Sequence, residues 1–204
     1  MSPIEEKIYK TFARFRTQIF SPLSRILTVL RVTADMLSYL GAIVMAAFIL
    51  VLTHHPRWAL ALLAGRMLID ITDGPLARYQ KTDSDRGKFV DVLMDNVSFW
   101  LFLVGIVRIG YLHAASALVY LFLTELCVLL VIFKYNLNHK SSWFFYASAG
   151  SYPYNFVYAM YALFAYLVLG GNNYLNGAAL IFSVLLGFKI LIDYRTVQKA
   201  SPKN

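Results

Sequence analysis

The stretch from Asp70 to Asp95, DITDGPLARYQKTDSDRGKFVDVLMD, holds six of the eleven acidic residues of a 204-residue chain, yet it lies within strongly apolar sequence. Four of the six (Asp70, Asp73, Asp91 and Asp95) are flanked by residues that otherwise read as membrane-spanning. On a helix, positions i and i+3 share a face, as do i and i+4, so Asp70 pairs with Asp73 and Asp91 with Asp95. Between them, Thr82-Asp83-Ser84-Asp85 reads as a polar turn. Two helices joined by that turn point four carboxylates at one another. Four anions near lipid depth repel and stay poorly solvated unless cations neutralise them. All-oxygen ligation of this kind suits Mg²⁺, Mn²⁺ or Ca²⁺, and paired Mg²⁺ is the usual partner of phosphate chemistry.

Outward from this stretch, 59% of the chain is hydrophobic and 15% charged, with a mean hydropathy of +0.58. That describes an all-α membrane protein rather than a soluble domain. Six apolar spans, each near the ~20 residues that cross a bilayer, are expected at 35–53, 57–79, 87–111, 114–136, 153–170 and 174–194. No internal repeat divides them, so residues 1–204 read as a single domain, with interfacial helices over 2–32 and a six-helix transmembrane bundle over 33–196. At the start, Ser2 as N-cap, Pro3 at N1 and Glu5 at N3 resemble a capping box. Ile8, Phe12, Phe15 and Ile19 then recur at helical spacing opposite Lys7, Lys10, Arg14 and Arg16, which suits an amphipathic helix in the membrane interface. Ser21-Pro22 is expected to end that helix, with a second short one over 23–32. No cleavable signal peptide is expected.

The net charge of +8 comes with no nucleic-acid motif, and topology accounts for it. With the N-terminus inside, the inner segments collect the basic residues of the N-terminus, the 78–88 turn, Lys134, Lys140 and the C-terminus. Only Arg57 and Arg108 fall outside, and Arg66 lies within the second span. The positive-inside rule then places both termini and the aspartate cluster on the cytoplasmic side of a cell or inner membrane. Cys127, the single cysteine, lies in an apolar run and reads as a core residue.

The spacing Asp70-x2-Asp73-Gly74-x2-Ala77-Arg78-x8-Gly87-x3-Asp91-x3-Asp95 resembles the signature of the CDP-alcohol phosphotransferases (CDP-alcohol phosphatidyltransferases) at every fixed position. The resemblance implies that Asp70, Asp73, Asp91 and Asp95 hold two divalent cations, Mg²⁺ or Mn²⁺, on a nucleotide diphosphate. It also implies that Asp95 is the base that takes the proton from an acceptor hydroxyl. Two metals ~4 Å apart can bridge phosphate oxygens and flank an in-line displacement. Gly74 and Ala77 are small enough to let the nucleotide approach the helix, and Arg78 can pair with a phosphate oxygen through its fork of donors. By the same resemblance, Gly87, Ser84 and the segment Asp35, Met36, Leu37 and Ser38 contact the CDP moiety, and the enzyme is a homodimer. Here Ala34 and Asp35 stand where the family's opening segment carries Pro and Asn. Pro75 removes a hydrogen bond to the Ile71 carbonyl inside the motif itself.

The implied reaction transfers a phosphatidyl group from CDP-diacylglycerol to a small alcohol in phospholipid biosynthesis, releasing CMP. Lys134, Lys140 and Arg195 form the expected acceptor pocket, and they suit an acceptor that already carries a phosphate, such as inositol phosphate or glycerol phosphate. Alternatives are a CDP-aminoalcohol phosphotransferase acting on a lipid, a membrane prenyltransferase, and a cation transporter with a four-carboxylate site. The transporter has no need of Gly74, Ala77 or Arg78. Arg66 and Glu125, at similar depth, are expected to form an ion pair, with stacking of Arg66 one turn below Asp70 as the other possibility. Tyr152, Tyr154, Tyr158 and Tyr161 read as packing and interfacial-belt residues.

Overall fold

Long apolar runs separated by polar turns lead to helices, because each helix satisfies its own backbone polar groups where no water can. The computed structural model describes residues 3–138 and 152–200, with side chains over 15–130 (residue 85 apart) and 155–195. Seven helices occur among the described residues. They are α1 (Pro3–Val29), α2 (Ala34–Leu52), α3 (Pro56–Gln80), α4 (Asp85–Arg108), α5 (Ala114–Asn138), α6 (Tyr152–Val168) and α7 (Leu175–Ala200). Helices α2 to α7 coincide with the six expected spans, and α7 runs on past the predicted end. Among the described residues, three stretches, Ala34–Leu52, Arg86–Arg108 and Leu175–Arg195, are long and apolar enough to cross a membrane. Ala114–Leu130 and Asn155–Val168 are shorter apolar helices. Helix α3 carries Arg57, Arg66, Asp70, Asp73 and Arg78, spread along its length.

Residues 23–29 do not form a second helix of their own. Helix α1 continues through Pro22, which sits inside it. An interior proline costs a helix roughly 3 kcal/mol. Tertiary contacts with α3 and the α1–α2 turn offset this: Arg78 Nε donates to Thr17 Oγ1 at 2.9 Å, and Gln80 Nε2 donates to the Val32 carbonyl at 2.7 Å. Ser24, two residues beyond the proline, is fully buried. Helix α1 begins at Pro3, and the Ser2 cap lies outside the described residues.

Aromatic rings hold α2, α4 and α6 together. Phe48, Phe102 and Phe164 meet with ring centroids 5.5–5.8 Å apart, and Tyr161 sets its ring edge against Phe102 at 4.7 Å. A second set, Phe99, Tyr120 and Phe182, ties α4 to α5 and α5 to α7. Each such pair contributes about 0.5–1.5 kcal/mol beyond the area it buries. Cys127 is buried in this core, as its apolar setting predicts. On α7, Leu180, Ile181, Val184, Leu185, Phe188, Leu191 and Ile192 are all exposed. An apolar face of that extent is a liability in water and an ordinary surface against acyl chains.

Candidate active site

The chain reverses between α3 and α4 over four residues, and local chemistry fixes the turn. Lys81 closes α3 in the left-handed conformation, its N–H directed at the Ala77 and Arg78 carbonyls. Ser84 then caps α4 by accepting from the Gly87 N–H at 3.1 Å. A serine cap of this kind is worth about 1 kcal/mol. The short turn sets α3 and α4 antiparallel, with the two aspartate pairs at matching depth.

Asp70, Asp91 and Asp95 each offer a carboxylate oxygen, and the three oxygens lie within 4.8 Å of one another. Asp73 is buried beside them and accepts from the Gly74 N–H. Asp91 Oδ1 is buried with no hydrogen-bond partner. A buried carboxylate oxygen without a donor is costly, and converging anions make it more so. A hard divalent cation satisfies both conditions, since the donors are all carboxylate oxygens. On the donor set and on this orphaned atom, the residues fit such an ion.

Arg66 enters the cluster from within α3. Its Nη1 lies 3.4 Å from Asp70 Oδ1, its Nη2 is ion-paired with Asp95 Oδ1, and its Nε donates to Ser98 Oγ at 3.0 Å. The predicted Arg66–Glu125 pair is therefore not formed. Glu125 instead accepts from the Trp100 indole N–H at 2.8 Å. A guanidinium taken out of water goes to the site with most negative charge, and Asp70 is one turn away on its own helix. Gly41 of α2 makes room for it, because a Cβ there would stand 3.0 Å from Arg66 Cδ and Nε.

Tyr158 of α6 joins the site rather than serving only as packing. Its hydroxyl donates to Asp70 Oδ2 at 2.6 Å. With Tyr161, Val157, Phe99, Asp70 and Asp95 it lines a cleft between α3, α4 and α6. Nothing in the sequence marks it, since the two partners are 88 residues apart. Arg66 and Tyr158 thus supply donors to the carboxylates, while Ser98 accepts from Arg66 and donates to the Met94 carbonyl at 2.7 Å; sequence reasoning missed Tyr158 and Ser98 and held the Arg66–Asp70 approach only as a second possibility. Only the one-turn spacing of Arg66 and Asp70 offered a signal.

A family model described as CDP-alcohol phosphatidyltransferase matches residues 31–188. The chain belongs to the CDP-alcohol phosphatidyltransferase family. No curated protein matches the chain. Membership in the CDP-alcohol phosphatidyltransferase family makes the chain a transferase acting on a CDP-alcohol with an alcohol acceptor, and the carboxylate cluster suits the family's divalent-cation dependence.

The other residues of the motif fall as follows. A Cβ on Gly74 would stand 3.5 Å from Arg78 Nη1 and 3.7 Å from Arg16 Nη2, so two guanidinium groups flank this bare stretch of α3. Gly87 faces Ser84 Oγ and Asp35 Oδ1, which a Cβ would approach to 3.4 and 3.6 Å. Asp35 is thereby drawn to the start of α4, where Arg86 Nη2 is 3.9 Å from its Oδ2. Ala77 is half-buried. Of the α2 segment, Met36 is exposed, whereas Leu37 is buried and Ser38 donates to the Ala34 carbonyl of its own helix. Arg195 is exposed near the end of α7. The side chain of Lys134, and Lys140 entirely, lie outside the described residues.

Proposed function

We propose that this enzyme transfers a phosphatidyl group from CDP-diacylglycerol to a small alcohol, releasing CMP, with residues 1–204 forming one membrane domain. The acceptor is a phosphorylated polyol such as inositol phosphate or glycerol phosphate, drawn to Lys134, Lys140 and Arg195. Residues 2–32 lie in the interface and 33–196 form six transmembrane helices, with both termini and the site facing the cytoplasm, in a homodimer. The observation that carries the reading is the convergence of Asp70, Asp91 and Asp95 oxygens within 4.8 Å in a chain that belongs to this family.

In this reading Asp70, Asp73, Asp91 and Asp95 would hold two divalent cations, Mg²⁺ or Mn²⁺, which when bound would offset the charge of the diphosphate and of the departing CMP. Gly74 and Ala77 leave one side of α3 open to the diphosphate, and Arg78 pairs with its oxygens. Ser84, Gly87 and the Asp35–Ser38 segment receive the rest of the CDP moiety. In the chemical step the acceptor hydroxyl oxygen forms a bond to the phosphatidyl phosphorus, and the bridging P–O bond breaks. CMP leaves with the bridging oxygen, and Asp95 takes the hydroxyl proton. Arg66, itself held by Ser98, keeps Asp95 in its rotamer, and Tyr158 holds Asp70. Fixing these carboxylates removes rotamer freedom from the reacting arrangement.

Purified protein supplied with CDP-diacylglycerol, Mg²⁺ and inositol phosphate or glycerol phosphate should release CMP in step with new phospholipid. EDTA should stop the release. Asp91→Asn, which removes the charge of the carboxylate whose Oδ1 lacks a partner, should lower the rate by at least ~100-fold, the scale on which one preorganised electrostatic group acts. An Asp91→Asn enzyme that turns over normally refutes the assignment.

A further inference from the structure

Pro75 stands inside α3 and has no N–H, so the carbonyl of Ile71, four residues earlier, loses its helical donor. Arg16 of α1 takes that place: its Nη2 donates to the Ile71 carbonyl at 2.9 Å. The same nitrogen lies 3.7 Å from the position a Cβ would occupy on Gly74, with Arg78 Nη1 at 3.5 Å from that point. Arg16 Nε is buried and has no acceptor. An arginine that served only to dock α1 would be complete once the carbonyl was met. This one brings an unsatisfied N–H and a full charge to the bare side of the aspartate-bearing helix. Arg16 also lies outside residues 31–188, the stretch the family model covers.

We propose that Arg16 is a second diphosphate-binding guanidinium, aimed by the carbonyl that Pro75 leaves open, so that α1 forms one wall of the substrate site. This rests on the reading of the site as one for a CDP-alcohol. Two guanidinium groups on either side of Gly74 suit a diphosphate, whose oxygens need several donors and more than one positive charge. Family membership supplies Arg78 through its motif, and the fold supplies Arg16 through α1.

The test measures CDP binding to the purified full-length protein with Mg²⁺ by calorimetry. Arg16→Gln should weaken CDP binding roughly 10- to 100-fold, the effect of losing one charge-assisted hydrogen bond. Arg16→Lys, which keeps the charge, should recover a substantial part. Pro75→Ala returns an N–H to Ile71 and releases Arg16 without altering it, so CDP binding should weaken there too. The double variant should lose no more than Arg16→Gln alone. Arg16→Gln binding CDP within twofold of wild type overturns the proposal and leaves the reading of the site intact. If Arg16→Gln does not purify folded, unchanged CDP affinity in Pro75→Ala overturns it equally. A wild-type protein that does not bind CDP defeats the reading of the site, and this proposal with it.

Discussion

Replacing Arg66 with methionine keeps most of the side-chain volume and removes the one charge that, among the described contacts, pairs with two aspartates of the cluster. The Arg66 side chain is 7% exposed and lies 3.4 Å from Asp70 Oδ1. At that distance, and at an effective dielectric of ~20, the attraction is about 5 kcal/mol. Desolvation of the guanidinium offsets part of it, and deleting one partner of a buried pair typically costs about 3–5 kcal/mol. The loss here lies towards the lower figure, because Asp70 and Asp95 keep 16% and 21% side-chain exposure and regain some water. For a chain of this size, 3–5 kcal/mol lowers Tm by roughly 6–20 °C. The assay is thermal unfolding of purified protein in detergent, with EDTA and again with millimolar Mg²⁺. In EDTA the variant should melt well below wild type. Mg²⁺ should raise its Tm by more than that of wild type, because a divalent cation replaces the missing charge. Equal destabilisation with and without Mg²⁺, or none in EDTA, refutes the account of Arg66 as counter-ion to the cluster.

Gly41→Ala places a methyl 3.0 Å from Arg66 Cδ and Nε, so Arg66 must shift off its partners. The expected cost is about 1–3 kcal/mol in thermal or denaturant unfolding. In an Arg66→Met background the same change should cost much less, since the crowded atoms are gone and neighbouring substitutions do not add. Tyr158→Phe removes the hydroxyl that donates to Asp70 Oδ2 at 2.6 Å. Losing a donor that orients a ligating carboxylate should weaken Mn²⁺ binding, measured by titration, by about 10-fold or more, with little change in Tm.

How much of this was legible from the chain divides along the range of each interaction. The helix positions followed from local composition, because a segment of about twenty apolar residues has few other ways to satisfy its backbone. The aspartate pairs were legible for the same reason, since i, i+3 and i+4 neighbours share a face whatever surrounds the helix. Pro22 does not break α1, because the sequence shows only the local cost of the proline and not the contacts α1 makes with α3. Depth alone favours Glu125 as the partner of Arg66 over the approach to Asp70 that helical spacing also allows, and depth does not say which way a side chain turns. The packing of α2, α3 and α4 turned it towards the aspartates.

What the sequence by itself determined is the chemistry on offer: four carboxylates in two facing pairs, a bare helix side at Gly74, and a carbonyl at Ile71 left open by Pro75. Tertiary structure alone decided which groups answer them. Tyr158 reaches Asp70 across 88 residues and Arg16 reaches Ile71 across 55. Spacing within one helix is set by its pitch, so it can be read from the chain. Contacts between helices depend on how each is rotated and placed against its neighbours, and that emerges only when the whole set of apolar faces has packed.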